Sequence, residues 1–280
     1  MSDHEAESAD TEAPPAALVA KRIRTVPRLQ YVHSYSYVFE GHAGFTNLIL
    51  LSICMLIPII GPIVMAGYQY EVISALHKYP KATYPAFDFG RFGEYLGRGI
   101  WKFLADMISQ VVLVPVYIFV YFFTIIGLVL TAAAFAGPQN NNAGTAFGIA
   151  AMIIIPIDII IIVVVTIGMR LLLNPLILKA SLSGEGADLF DFGFMVDFVK
   201  RTWRETIWEV LWVYVTFPII VLLGLLLCIV GVLPAVAWSL LADAHTNWQL
   251  YEIYLARGGR PVRLKAEGPS PVIMADVLEE

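Results

Sequence analysis

Charge is the scarcest thing in this sequence. Asp, Glu, Lys and Arg make up 15% of its 280 residues, against 58% hydrophobic ones, and the mean hydropathy is +0.72. Soluble domains carry about 25% charged residues. A chain this apolar has too few polar side chains to cover its own surface, which excludes an ordinary soluble enzyme fold and leaves lipid as the solvent for much of it. Cysteine is nearly absent. Cys54 and Cys228 each sit inside an apolar run, so neither a disulfide framework nor a thiolate metal site is expected. There is no Gly-rich phosphate loop, His-Glu-x-x-His, Gly-x-Ser-x-Gly or Cys-x-x-Cys. The reading is therefore of a non-enzyme with no cofactor, no metal and no catalytic residues. Nucleic acid is not an expected partner, because no dense basic stripe is interleaved with stacking aromatics. The acidic N-terminus also lacks the basic n-region and apolar core of a secretory signal.

What charge there is lies unevenly. Residues 1–20 hold Asp3, Glu5, Glu7, Asp10 and Glu12 and no base, and residues 266–280 hold Glu267, Asp276, Glu279 and Glu280 and no base. The rest of the chain is mildly basic, with 18 Lys and Arg against its remaining 14 acids. Segment 1–26, with its Ala/Pro-rich stretch Thr11–Ala20, reads as a disordered acidic tail. Segment 257–280 reads as a flexible cytoplasmic tail, and residues 27–256 as one helical membrane domain.

Three runs carry no charge: Ala43–Tyr70, Met107–Ile157 and Val210–Ala242. A membrane-crossing helix needs about 20 apolar residues. Gly, Pro and Asn at 137–144 divide the second run at a turn, giving spans near 107–136 and 147–169. Gly231 and Pro234 divide the third, giving spans near 207–230 and 233–255. The fold class is therefore all-α: a polytopic helical membrane protein with four spans.

The first run fits two arrangements. One is a re-entrant hairpin bent at Pro58-Ile59-Ile60-Gly61-Pro62, each limb too short to cross ~30 Å of hydrocarbon. The other is a single Pro-kinked span. The positive-inside rule favours the hairpin: the linkers with Lys78, Lys81, Arg91, Arg98 and Lys102, and with Lys179, Lys200, Arg201 and Arg204, then share the cytoplasmic face with the C-terminus and with Lys21, Arg22, Arg24 and Arg28. Pro58, Gly61 and Pro62 are the candidate hinge.

Phe87-Asp88-Phe89-Gly90 recurs as Phe190-Asp191-Phe192-Gly193, and the match continues through Arg98 and Arg201. The copies precede apolar runs and are separated by two spans, which implies a parallel internal repeat with halves of about 43–136 and 147–256. Each copy has amphipathic helical spacing. Phe89, Arg98 and Trp101 in the first, and Phe192, Arg201 and Trp203 in the second, are candidate interfacial residues. Such a segment either lies at the headgroups or leads into the following span.

Tyr37-Val38-Phe39-Glu40, Leu56-Ile57-Pro58-Ile59-Ile60-Gly61-Pro62, Gly67-Tyr68 and Phe87-Asp88-Phe89 resemble domain-of-unknown-function family 4013. The resemblance is clearest over residues 31–110. It implies a prokaryotic multi-span protein of the cytoplasmic membrane and supplies no activity and no site residues.

Asp158, flanked by Ile157 and Ile159, reads as the acid deepest inside a span, where a carboxylate costs about 2.5–3.5 kcal/mol. Arg170 and Asn174 interrupt the same run nearer its end; Arg170 is expected to snorkel to the interface. On the last helix Asp243 and Asn247 share one face and His245, Gln249 and Glu252 another, which reads as a partly solvated helix end. Tyr31, Tyr35, Tyr37 and Phe39 read as an interfacial aromatic belt. Two functions follow: a membrane-shaping or scaffold subunit, placed first, and a small-solute or ion transporter using Asp158. The expected partners are the lipid bilayer and a second copy or other membrane subunits.

Overall fold

The structure is a computed structural model and describes residues 28–80, 83–135, 143–227 and 229–264. The acidic tail, the turn expected at 137–144 except for its last two residues, Cys228 and the end of the C-terminal tail lie outside the described residues. Among the described residues seven α-helices follow in order: α1 (Tyr31–Tyr37), α2 (Gly44–Cys54), α3 (Ile60–Lys78), α4 (Phe92–Phe135), α5 (Ala143–Ser183), α6 (Phe192–Leu226) and α7 (Val232–Ala256). Among the described residues there is no strand.

Among the described residues three stretches are long and apolar enough to cross a membrane: Phe89–Ala134, Phe147–Ser183 and Phe192–Leu226. At 1.5 Å per residue, the 44 residues of α4 extend about 66 Å, roughly twice a hydrocarbon core. Only part of each long helix therefore faces lipid tails, and the rest is a polar foot. The two segments expected to be amphipathic are not separate helices: each runs on into the apolar stretch as part of α4 or α6. The fourth expected span corresponds to α7. Its 25 residues give it the length, but its C-terminal half is polar, so it lacks the composition of the other three.

The first apolar run breaks after Cys54, and α3 begins at Ile60. Ile59 takes a left-handed backbone (φ 68°), a conformation costly for a β-branched residue, and thereby turns the chain sharply. Pro58 lies in the turn, and Gly61 and Pro62 in the first turn of α3. A Cβ on Gly61 would collide with the Cys54 carbonyl, so only glycine lets the two helices meet there. Further along, the Asn47 amide donates to Tyr68 Oη at 2.8 Å. The helices are thus antiparallel limbs of a hairpin. Leu56, Ile57, Ile59 and Ile60 are exposed at or near its tip.

Close backbone approach also sets the α3–α4 crossing. A Cβ on Gly67 would land on the Tyr95 carbonyl, and one on Gly99 on the Ile63 carbonyl. Around this crossing lie the buried aromatics: Tyr68, and Phe87 stacked on Tyr95 at 5.0 Å. Asp88 and Asp191 do the same local job before α4 and α6. Asp88 Oδ1 accepts from the Gly90 amide at 2.7 Å, and Asp191 Oδ1 from the Phe194 amide at 2.9 Å, satisfying donors that a helix start leaves open.

α7 is enclosed by α1, α2, α3 and α6. Its polar residues are therefore buried, and the solvated helix end expected for them is corrected: His245 and Gln249 are each 1% exposed. The Gln249 amide donates to Ser34 Oγ at 3.2 Å, its carbonyl accepts from the Gln30 amide at 2.7 Å, and Tyr37 stacks on His245 at 4.4 Å. The tyrosines of the expected belt lie on or just beside this helix–helix joint: Tyr31 meets Trp212 at 5.5 Å and Tyr35 Oη bonds Thr216 at 2.8 Å. Residues 259–264 return over α7, where the Val262 amide donates to Tyr251 Oη at 2.8 Å.

Candidate functional site

Four charges that bound uncharged stretches come to a common place. Asp106 stands immediately before Met107 on α4, Arg170 ends the apolar part of α5, and Glu209 and Asp243 bound the run Val210–Ala242 on α6 and α7. Asp106, Arg170 and Asp243 line one cavity of ≈ 560 Å³ together with Lys102, Gln69, Gln110, Asn174 and Asn247. Met55, Met65, Met107 and Met169 supply much of its apolar wall. Glu209 lies behind Arg170 and is 1% exposed.

The polar side chains hold one another. Lys102 Nζ donates to Gln69 Oε1 at 2.7 Å, and the Gln69 amide donates to the Leu240 carbonyl at 2.5 Å. Asn174 donates to Asn247 Oδ1 at 2.8 Å, and Asn247 donates to Asp243 Oδ2 at 3.1 Å. The Arg170 guanidinium stands 3.5 Å from Asp243 Oδ1 and 3.8 Å from Glu209 Oε1. At an effective dielectric of ~20, a unit pair at that separation gains about 4 kcal/mol. That is comparable with the several kcal/mol needed to desolvate each ion. One guanidinium thus balances one carboxylate well and two poorly.

Arg170 therefore points into the protein and does not snorkel, because two buried acids hold it there. Asn174 joins it in the cavity. Asp158 does not: it lies higher on α5, half-buried, where Thr124 of α4 donates to its carboxylate. The cavity also gathers acids that the sequence reading placed outside spans or at solvated ends. Of the interfacial candidates, Phe89, Phe192 and Trp203 are exposed, and Arg204 lies 5.7 Å over the Trp203 ring. Arg98 is turned inward, 3.9 Å from Glu71, and Trp101 packs over Gly186. Arg201 pairs with Asp197 at 3.0 Å and donates to the Arg257 carbonyl.

Compared with known protein families, the chain matches the one described as "Protein of unknown function (DUF4013)" over residues 50–229, more than half its length. The chain belongs to this family. No curated protein and no solved structure matches it. The DUF4013 match contains Gln69, Lys102, Asp106, Arg170, Asn174 and Glu209, whereas Asp243 and Asn247 lie beyond it.

Reasoning along the chain missed Gln69, Lys102, Asp106, Glu209, Asp243 and Asn247 as parts of one site. A signal for four of the grouped charges was present: Asp106, Arg170, Glu209 and Asp243 each terminate an uncharged run, which puts them at matching depths on neighbouring helices. Below the cavity, at the end where the chain enters α4 and α6, a second set of ion pairs is structural. Arg91 meets Glu71 at 2.6 Å and His77 meets Glu252 at 2.5 Å, tying α3 to the turn that leads into α4 and to α7. Among the described residues, no group of three or more His, Cys, Asp and Glu could hold a metal ion.

Proposed function

We propose that this membrane protein binds a small polar solute in the cavity at the foot of its apolar body and carries it across the bilayer. The observation that carries this reading is the convergence of Lys102, Asp106, Arg170 and Asp243 from three helices on one space of ≈ 560 Å³. Charges are costly in a bilayer and are found where they serve an ion or solute path. Cavities of a few hundred cubic ångströms suit small ligands, and facing acids and bases complement a solute with charges of both signs. The carrier is read as non-enzymatic, with no cofactor.

The proposed placement is multi-pass in the cytoplasmic membrane of a prokaryote, with the basic end inside. Lys78, Arg98, Lys179, Arg201 and Arg257 support it, since they gather where the α3–α4 and α5–α6 linkers and the end of α7 lie. In this placement α7 is a fourth crossing sheltered from lipid by its neighbours, and the α2–α3 hairpin is re-entrant, its apolar tip entering from the cytoplasmic side. The equivalent capping by Asp88 and Asp191 supports the parallel repeat.

A second reading, a membrane-shaping or scaffold subunit that pairs with another copy or a partner, is favoured by the α4–α5 arm, whose Ile118, Phe119, Met152 and Ile160 are all exposed. Proteoliposomes loaded with a panel of zwitterionic and singly charged amino acids separate the two. Carrier function predicts flux of at least one solute, reduced at least tenfold by Asn174→Leu, which protrudes into the cavity. Tubulation of the vesicles with no flux of any solute overturns it in favour of the scaffold.

A further inference from the structure

Glu209 is the one cavity-side acid that the solute site as described does not use. Among the described residues neither of its carboxylate oxygens accepts a hydrogen bond, although both are buried. Trp212 Nε1, three residues on and on the same helix face, is a second buried polar atom without a partner. The groups facing Glu209 come from every helix packed around it. They are Arg170 of α5 at 3.8 Å, Asp243 of α7, Lys102 of α4 and the Tyr31 hydroxyl of α1. Asp106 of α4 faces Lys102, Arg170 and Asp243 in turn. On its own helix Glu205 is already engaged, with Arg257 at 2.5 Å.

Fully ionised, this group holds two cations, Lys102 and Arg170, and three anions, Asp106, Glu209 and Asp243. One negative charge is left in excess beside a carboxylate, that of Glu209, which is 1% exposed. Of the three anions, Glu209 is the most buried and has no hydrogen bond to compensate it, whereas Asp243 accepts from Asn247. Arg170 also stands closer to Asp243 than to Glu209.

We infer that Glu209 is a proton-binding site of this protein, its occupancy set by how Arg170 divides its charge between Glu209 and Asp243. One proton from water forms an O–H bond on a Glu209 carboxylate oxygen, the excess charge disappears, and release reverses the step with no electron moved. A proton site coupled through a cavity arginine gives a carrier the means to draw on a proton gradient. The inference adds to the solute reading and is tested without a solute, so either can fail alone.

The test is infrared difference spectroscopy of the full chain in lipid nanodiscs, stepped in pH through the neutral range. The expected result is a titrating protonated-carboxyl band that is lost in Glu209→Gln. Asp243→Asn leaves Arg170 wholly to Glu209, so it stabilises the carboxylate and moves the band's midpoint down by about one to three pH units. A merely structural Glu209 would show neither effect. A band that persists in Glu209→Gln, or that is lost instead in Asp106→Asn or Asp158→Asn, overturns the inference. If Glu209→Gln does not fold, the Asp243→Asn midpoint decides: no downward movement overturns it.

Discussion

From Asp243 to Glu252 α7 carries Asp243, His245, Asn247, Gln249 and Glu252, and all five are buried. From Met152 to Val164 α5 carries one charged residue, while Met152, Ile153, Ile155, Ile157, Ile159, Ile160, Ile161 and Val164 are exposed. A soluble protein would reverse this. In lipid, an exposed isoleucine costs nothing, because the surroundings are as apolar as a core. A polar side chain does better inside, where another can bond it. The contrast teaches that in this chain polarity marks the interior of the foot and apolarity marks the outer wall.

Perturbing the interior should therefore hurt far more than perturbing the wall. The largest effect is expected from Gly67→Leu. Its side chain would force α3 and α4 apart at the Tyr95 carbonyl, and overpacking of a backbone crossing costs more than the usual 1–3 kcal/mol. No monodisperse protein should be recovered on size exclusion in detergent. A folded Gly67→Leu would mean that the α3–α4 crossing is not the tight interior described.

Next comes Arg170→Ala, which strands Asp243 and Glu209 without their cation. Breaking a buried pair costs about 3–5 kcal/mol, so the melting temperature in nanodiscs should fall clearly, and Arg170→Lys should recover part of the loss. Asn47→Ala follows. It removes donors to Tyr68 Oη and the Pro85 carbonyl and an acceptor for the Phe87 amide. Tyr68 Oη still donates to the Pro85 carbonyl at 2.6 Å, so a loss of about 1–3 kcal/mol is expected mainly for the Phe87 amide left buried and unpaired.

Asp191→Ala should cost about 1 kcal/mol, the worth of a helix cap. The Lys179 ammonium and then the Phe194 amide hold the Asp191 carboxylate below its usual range. A depressed folded value means that this contribution is full above the unfolded carboxylate value near 4 and is lost as pH falls through the folded one. The wild type and Asp191→Ala should thus converge in stability only in acid. At the wall, Ile118→Leu should change the melting temperature by less than the scatter of the measurement. A large fall there would show that the arm is an interior surface and would end the comparison.

Much of the fold is legible in the residues themselves. The uncharged runs give the long apolar helices, the Pro58–Pro62 segment gives the break in the first run, and the two Asp-Phe-Gly stretches mark where α4 and α6 begin. The site is less legible because its polar residues look alike in a linear reading whether they face water, lipid headgroups or one another. Arg170 near the end of an apolar run has the pattern of a snorkelling side chain, and only Asp243 and Glu209 beside it turn it inward. Asp158 has the pattern of a functional acid, yet Thr124 is the partner it meets, away from the cavity.

The sequence by itself determined that this chain is helical and seeks lipid, since 58% hydrophobic residues against 15% charged cannot be buried in any other solvent. It also determined the depth of the charges, because helix rise ties position along the chain to position along the bilayer normal. Which way those charges point was decided by tertiary structure alone. Helix rotation about its axis is set by packing against neighbours, here by glycines that admit a backbone and by acids that require a cation.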